Sequence, residues 1–375
     1  MSLFVRIKSK ISIVYRILIS VFPSRRTQSY DLTIVRCDLL GDFIMKYDSL
    51  IEIQKFFQGK RVLIVCPTFV VPFIEGIPFF TRIVGYDMKK MDNLSYLTNL
   101  SRELKRIRST IVYYCSWERY LQGDTITSFI QSNNRVAMRG SHSGGIVKHY
   151  YDSKYNKLVE FPQRGSEIRA LEAFVRGTYN SDYHYGKNPL VLSVPYTLNL
   201  RSPYIVVSIS SSMEEKTWPI NCFVHLINEI PEQYTIVISG AGEKDVEKAH
   251  YIIETSFKKN KIVNMVNKTN VLELVGLISK CELLIGNDSA AVHIAAAIRV
   301  PSVCILHGAH YGRFLPYPED SLEGRYLPKI VCHHMDCYYC EYKCIYDERN
   351  PFRCLKNVSV KDVCDAVNEV LESNC

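Results

Sequence analysis

No run of 18 apolar residues occurs in the sequence, so it offers no segment of the length and hydropathy that crosses a bilayer as a helix. It also lacks a G-x-x-x-x-G-K-[ST] loop and an H-E-x-x-H pair, which excludes P-loop phosphoryl transfer and the common zinc-peptidase chemistry. There is no internal repeat and no low-complexity tract. The net charge is +8, yet lysine and arginine form no dense block. That distribution favours phosphorylated substrates or anionic lipid over a nucleic-acid duplex. No small-residue cleavage site follows the apolar positions near the start, and 13 cysteines in 375 residues do not make a disulfide scaffold, so a reducing cytoplasm is the expected compartment.

What is present is a chain too long for one hydrophobic core, with an ordinary 47% hydrophobic and 22% charged residues, and two domains are expected. Residues 1–22 carry apolar side chains at positions 4, 7, 11, 14 and 18, with Arg6, Lys8, Lys10 and Arg16 between them. This spacing predicts a basic amphipathic helix, lying either in a membrane interface or on the protein's own surface. After a break at Pro23–Ser29, short strands alternate with helices: Thr33–Cys37, Arg61–Cys66, Arg82–Tyr86, Thr110–Cys115 and Arg135–Met138 read as strands, with helices over Phe43–Phe57 and Leu94–Ile107. Near-continuous apolar strands separated by helices predict a parallel sheet covered on both faces, here over residues 31–187.

Residues 187–203 contain Pro189, Pro195 and Pro203 and read as a linker. The alternation resumes over 203–358 with Tyr204–Ser210, Tyr234–Gly240, Lys261–Val266, Glu282–Gly286 and Ser302–Gly308, predicting a second doubly wound α/β domain. A last helix, 359–372, opens with Ser359 and Asp362 at capping-box spacing and carries a valine stripe.

Four segments carry candidate chemistry. In ELLIGNDSAAVHIAAA, 282–297, a strand ends and a helix rich in small residues begins near Ser289. Asn287, Asp288 and Ser289 fall where backbone N–H groups and the helix dipole favour a diphosphate, and His293 follows Ser289 by one helical turn. A plain N-cap with a buried histidine gives the same pattern. In SISSSMEEKTW, 208–218, Ser210 and Ser211 end a strand ahead of Lys216, whose charge suits a leaving diphosphate, although an unremarkable surface lysine fits equally. In RCDLLGD, 36–42, Gly41 permits a tight turn and Asp42 is either a helix cap or a general base. In SGAGEKD, 239–245, Asp245 replaces the third glycine of a dinucleotide fingerprint, which weighs against a nicotinamide or flavin cofactor, while Glu243 remains a contact for a ribose or sugar hydroxyl.

Taken together and in order, RCDLLGD, SSSMEEKTWP, ISGAGEKD and LIGNDSAAVHIAAA followed by PSVCILHG resemble glycosyltransferase family 9, the lipopolysaccharide heptosyltransferases and their relatives, over roughly 31–371. The resemblance implies a GT-B fold of two Rossmann-like domains facing a cleft, with a C-terminal helix returning to the first domain. It implies inverting transfer without a metal or other cofactor, typically of heptose from an ADP-activated donor to a glycan or glycolipid acceptor, by a protein peripheral to the inner membrane face. It makes Asp42 the catalytic base and Lys216 the diphosphate-binding lysine. Glu243 becomes a nucleoside contact, and Asp288, Ser289 and His293 the donor-sugar and diphosphate site. Ala290 stands where the family has glycine. The alternatives are a sugar-nucleotide epimerase on the same scaffold and a degenerate, non-catalytic binding subunit.

Cys332, Cys337, Cys340, Cys344 and Cys354 cluster near the end, beside His333 and His334. Only one pair has C-x-x-C spacing, whereas structural zinc sites commonly use two. Metal binding through Cys332, Cys337, Cys340 and Cys344, reduced thiols packed in a loop, and a disulfide all remain open.

Overall fold

The computed structural model describes residues 3–21, 28–140, 146–161, 165–179, 182–191, 200–346 and 350–373, with side chains from residue 12 onward in the first helix. Much of the sequence-expected linker, and most of the break after the first helix, lie outside the described residues. The chain divides into two compact units, Met1–Phe43 with Ser49–Tyr183, and Ile44–Asp48 with His184–Cys375.

The first unit holds six strands, β1 (Gln28–Val35), β2 (Val62–Pro67), β3 (Arg82–Tyr86), β4 (Ile107–Tyr114), β5 (Arg135–Met138) and β6 (Lys157–Val159), in the order β3-β2-β1-β4-β5-β6. The second holds β7 (Tyr204–Ser208), β8 (Thr235–Ser239), β9 (Ile262–Asn264), β10 (Leu283–Asn287), β11 (Ser302–Ile305) and β12 (Lys329–Val331), in the order β12-β11-β10-β7-β8-β9. Every pairing is parallel; Ile34 lies between Ile64 and Tyr113, and Val207 between Ile285 and Ile238. Both sheets therefore have the doubly wound order in which the chain reverses direction beside its first strand, at β1/β4 and at β7/β10.

The central strands are apolar along their whole length because both faces are covered. Leu32, Ile34, Ile205, Val206, Leu284 and Ile285 have no exposed surface. At Gly286 an added Cβ would stand 2.9 Å from the Ser208 carbonyl oxygen, so only glycine lets β10 lie this close to β7.

The expected α/β class and two parallel sheets are observed, with local differences. The helix expected over Phe43–Phe57 is two, Leu40–Met45 and Tyr47–Phe56, and the one expected to reach Ile107 ends at Leu104 because Ile107 opens β4. Two three-residue strands, β6 and β12, escaped the sequence reading. The final helix, Val360–Glu372, is capped by Ser359, whose hydroxyl accepts from Asp362 N at 3.1 Å. Its stripe of Val363, Ala366 and Val367 is buried in the second unit's own core with Ile305 and Val331, and burying such a valine contributes about 2 kcal/mol.

The first helix, Leu3–Val21, is also tied to its own unit. Arg16 is 1% exposed: its guanidinium donates to the Met91 carbonyl at 2.6 Å and pairs with Asp92 at 2.8 Å. Arg16, one of the cations between the apolar positions, is thus an internal anchor, whereas Val14, Leu18 and Val21 are exposed.

Candidate active site

The site of the second unit is built at the carboxyl ends of its central strands, and Asn287 ties those ends together. Its side chain, 0% exposed at the end of β10, accepts from Trp218 N at 2.9 Å and donates to the Ile209 carbonyl at 3.1 Å. It therefore positions the segment after β7, which contains Ser210, Ser211 and Lys216, and its amide is fully engaged inside the protein.

Asp288 follows on the same strand end. Its Oδ2 lies 3.3 Å from His307 Nε2 and its Oδ1 3.9 Å from His293 Nε2. His307 Nδ1 accepts from Ala309 N at 3.1 Å, which puts the ring proton on Nε2, facing Asp288. Burial by itself would raise the Asp288 pKa. The His307 hydrogen bond, with the charges of His307, His293 and Lys216, outweighs it and holds the carboxyl at about 2. His293 Nδ1 meets the Tyr317 hydroxyl at 2.7 Å. Burial keeps His293 below its ordinary value and Tyr317 well above its own, so a neutral imidazole meets a protonated phenol.

Ser289 caps the helix Ala290–Ala297 by backbone conformation alone, and its Oγ is buried with no hydrogen-bond partner among the described residues. Lys216 ends a short turn, Glu214–Lys216, with its ammonium 4.9 Å from the Tyr342 ring centroid, within electrostatic reach of Asp288 and His310. Ser211 Oγ bonds Thr217 Oγ1 at 2.8 Å. Ser210 donates to Asp245, whose buried carboxylate also accepts from Ala241 N at 3.0 Å. Where a dinucleotide fingerprint has its third glycine, this chain uses Asp245 to tie the loops after β7 and β8 together. Glu243 is exposed at the first position of the helix Glu243–Thr255. Lys216, Asp288, Ser289 and His293 thus share one region, together with His307, Tyr317 and Tyr342, which sequence spacing alone did not single out.

In the first unit, Asp42 lies half-buried in the first turn of the helix Leu40–Met45, just after β1. The segment between contains Arg36, 1% exposed, whose Nε donates to Asp38 at 2.6 Å and whose guanidinium lies over the Phe43 ring. Among the cysteines, Cys332 Sγ stands 3.7 Å from His334 Nε2, apart from the cavity that Cys337, Cys340 and Cys344 line.

Two doubly wound units of one strand order are the α/β architecture of the GT-B fold. The model of "Glycosyltransferase family 9 (heptosyltransferase)" matches residues 183–323. The lipooligosaccharide heptosyltransferase 2 of Campylobacter jejuni is 22% identical over 82% of this chain and 91% of that enzyme. A family 9 glycosyl transferase from Veillonella parvula superposes with a TM-score of 0.74 at 17% identity, covering 94% of this chain and 99% of that one. The ADP-heptose lipopolysaccharide heptosyltransferase II of Escherichia coli does so with a TM-score of 0.65 at 17% identity, over 92% and 99%. The structural likenesses carry the fold; the family match and curated relatives decide for a transferase over the epimerase alternative. Over residues 183–323 the chain is similar to glycosyltransferase family 9, the heptosyltransferases.

Proposed function

We propose that the chain transfers a heptose from an ADP-activated donor to a lipopolysaccharide-core or related glycan acceptor, with inversion and without a metal at the reacting atoms. The observation that carries this reading is the gathering of Lys216, Asp288, Ser289 and His293 at the ends of β7 and β10. A lysine ammonium and a helix N-terminus with an unsatisfied buried hydroxyl suit a diphosphate. The names of the Escherichia coli and Campylobacter jejuni proteins support the donor and acceptor class.

Charge divides the roles. Asp288, ionised at any physiological pH, repels a diphosphate and suits the hydroxyls of the donor sugar, which donate to it. Lys216 suits the phosphates. Asp42 takes the proton from the acceptor hydroxyl; that oxygen attacks the anomeric carbon from the face opposite the diphosphate, and the bond from carbon to the phosphate oxygen breaks as the new one forms. Lys216 and the helix beginning at Ala290 stabilise the charge that develops on the departing ADP. The exposed apolar residues Val14, Leu18 and Val21, with the net charge of +8, support peripheral binding to the cytoplasmic membrane face. No helix among the described residues is long and apolar enough to cross a membrane.

The test is ADP release from ADP-heptose in EDTA, with and without a heptose-deficient lipopolysaccharide acceptor. Acceptor-dependent release supports the reading. Release that ignores the acceptor, or that returns only on adding magnesium, overturns it.

A further inference from the structure

His307 is the second residue after β11, and it is 1% exposed. Aromatic rings wall it in: the Tyr342 centroid lies 5.7 Å from its own and that of Phe352 6.1 Å. Both ring nitrogens nevertheless face polar atoms. Nδ1 accepts from Ala309 N at 3.1 Å, while Nε2 stands 3.3 Å from Asp288 Oδ2 and meets no other acceptor among the described residues. A backbone amide can only donate, so Nδ1 is bare and the single ring proton sits on Nε2, toward the carboxylate.

The two oxygens of Asp288 are treated differently. His293 Nε2 is 3.9 Å from Oδ1, beyond hydrogen-bond range, and the other nitrogen of that ring is engaged by Tyr317 at 2.7 Å. His307 is therefore the imidazole that fixes the carboxylate. Held at Oδ2, the group cannot turn about its Cβ–Cγ bond, so the direction in which Oδ1 accepts is set before any ligand arrives. An ionised carboxylate has about four acceptor positions, and His307 takes one of them.

The ring of His307 is itself held in place. Tyr342, which backs it, has φ of 64°, a conformation that persists only where the surroundings impose it. The neighbouring Glu341 N supplies such a tie by donating to Ala309 O at 3.1 Å. The same Tyr342 ring lies 4.9 Å from the Lys216 ammonium, so one aromatic side chain backs both Lys216 and the histidine that orients Asp288.

We propose that His307 is a positioning residue for the donor sugar: through Nε2–H it holds the Asp288 carboxylate with Oδ1 turned to accept from the sugar's hydroxyls, and it touches neither sugar nor phosphate itself. The proposal rests on Asp288 meeting the donor sugar, as inferred above. Its consequence is selective. Removing the Nε2 donor frees the carboxylate to turn, which weakens recognition of the sugar and leaves the nucleotide's own contacts in place.

The test is calorimetric titration of the full-length protein with ADP and with ADP-heptose, for wild type, His307→Asn and His307→Gln. Asparagine keeps an acceptor where Nδ1 stands and has nothing at the position of Nε2, whereas glutamine places an amide donor there. His307→Asn should weaken ADP-heptose binding about 10-fold and ADP binding hardly at all, and His307→Gln should restore most of the loss. A role confined to packing or to the Ala309 hydrogen bond gives the reverse ranking, with glutamine the more damaging, and overturns the proposal. Wild type that binds the two ligands alike overturns the donor reading and this proposal with it. A gain in affinity from the sugar that survives in His307→Asn overturns the proposal alone. If the variants do not fold, the ¹⁵N resonances of the wild-type histidines decide: a His307 ring protonated only on Nε2 is expected, and one protonated on Nδ1 overturns the proposal.

Discussion

The Lys216 ammonium stands 4.9 Å from the centroid of the Tyr342 ring, so the lysine proposed to meet the donor's phosphates is held by a residue 126 positions later in the chain. A cation over an aromatic face is worth about 0.5–1 kcal/mol at an exposed site. Tyr342→Leu should therefore weaken donor affinity about 2- to 5-fold, and Tyr342→Phe should leave it unchanged. Calorimetric titration with ADP decides: equal affinity for wild type and Tyr342→Leu removes the aromatic support from the account.

Asp42→Asn should bind donor like wild type and lose turnover by about 10²- to 10⁴-fold, the usual contribution of a general base. Asparagine keeps the size of the side chain and its ability to accept a hydrogen bond in the first helical turn, so stability should hardly move. Single-turnover rates measured beside donor Kd check this. Near-normal turnover would leave Asp42 a helix residue without a catalytic part.

Asn287→Ala should lower stability by about 1–3 kcal/mol, because Trp218 N and the Ile209 carbonyl would lose their buried partner. It should also weaken donor binding, since the segment containing Lys216 is no longer fixed. Denaturant midpoints and ADP titration measure the two effects; a stability loss with unaltered affinity would show that the amide holds the fold but not the site.

Acidification should destabilise the protein before any carboxylate is involved. Burial is the largest cause of the lowered pKa of both His293 and His310, and nearby Arg313, Lys216 and His307 help bring His310 to about 4. As pH falls through 6.5 the unfolded chain takes up protons on both residues and the folded chain does not. Their contribution is thus fully present above that pH and is lost as the pH falls further, for His310 toward about 4. Asp288 has the opposite sense, a lowered acid pKa whose contribution is lost only between 3.8 and about 2. The thermal midpoint should drop between about pH 7 and about pH 5, and less steeply in His310→Gln. An unchanged slope in that variant would exclude His310 as a source.

The two faces of the first helix should separate in experiment. Val14→Asp with Leu18→Asp should reduce co-sedimentation with vesicles rich in anionic lipid and leave the thermal midpoint alone. Arg16→Ala should instead lower the midpoint, because the Met91 carbonyl loses its buried donor. Vesicle binding that ignores the aspartates would overturn the membrane reading.

Strands such as Tyr204–Ser208 were legible because a strand buried on both faces must be apolar along its length, whereas β6 and β12 are too short to show a period. The placement of Asp288 and Lys216 was legible for a related reason: polar residues that follow such a run fall toward the carboxyl end of a parallel sheet. Their partners were not. His307, Tyr317 and Tyr342 are 19, 29 and 54 positions from Asp288, and local spacing carries no trace of a contact made by folding. The anchoring role of Arg16 was not legible because amphipathicity reports which face of a helix is apolar and does not show a carbonyl and a carboxylate on the other. Asp245 looked like a defect in a glycine pattern and is a tie between two loops.

The Asn287 amide also bears on the thermodynamics of recognition. Fixing a backbone residue that is free in the unbound protein costs about 1–2 kcal/mol of entropy at 25 °C. With its ends bonded to a fully buried side chain, the segment from Ile209 to Trp218 is already ordered before a nucleotide arrives. A nucleotide bound there should leave most of its contact enthalpy uncancelled, with an unfavourable entropy smaller than that of a loop that folds around its ligand.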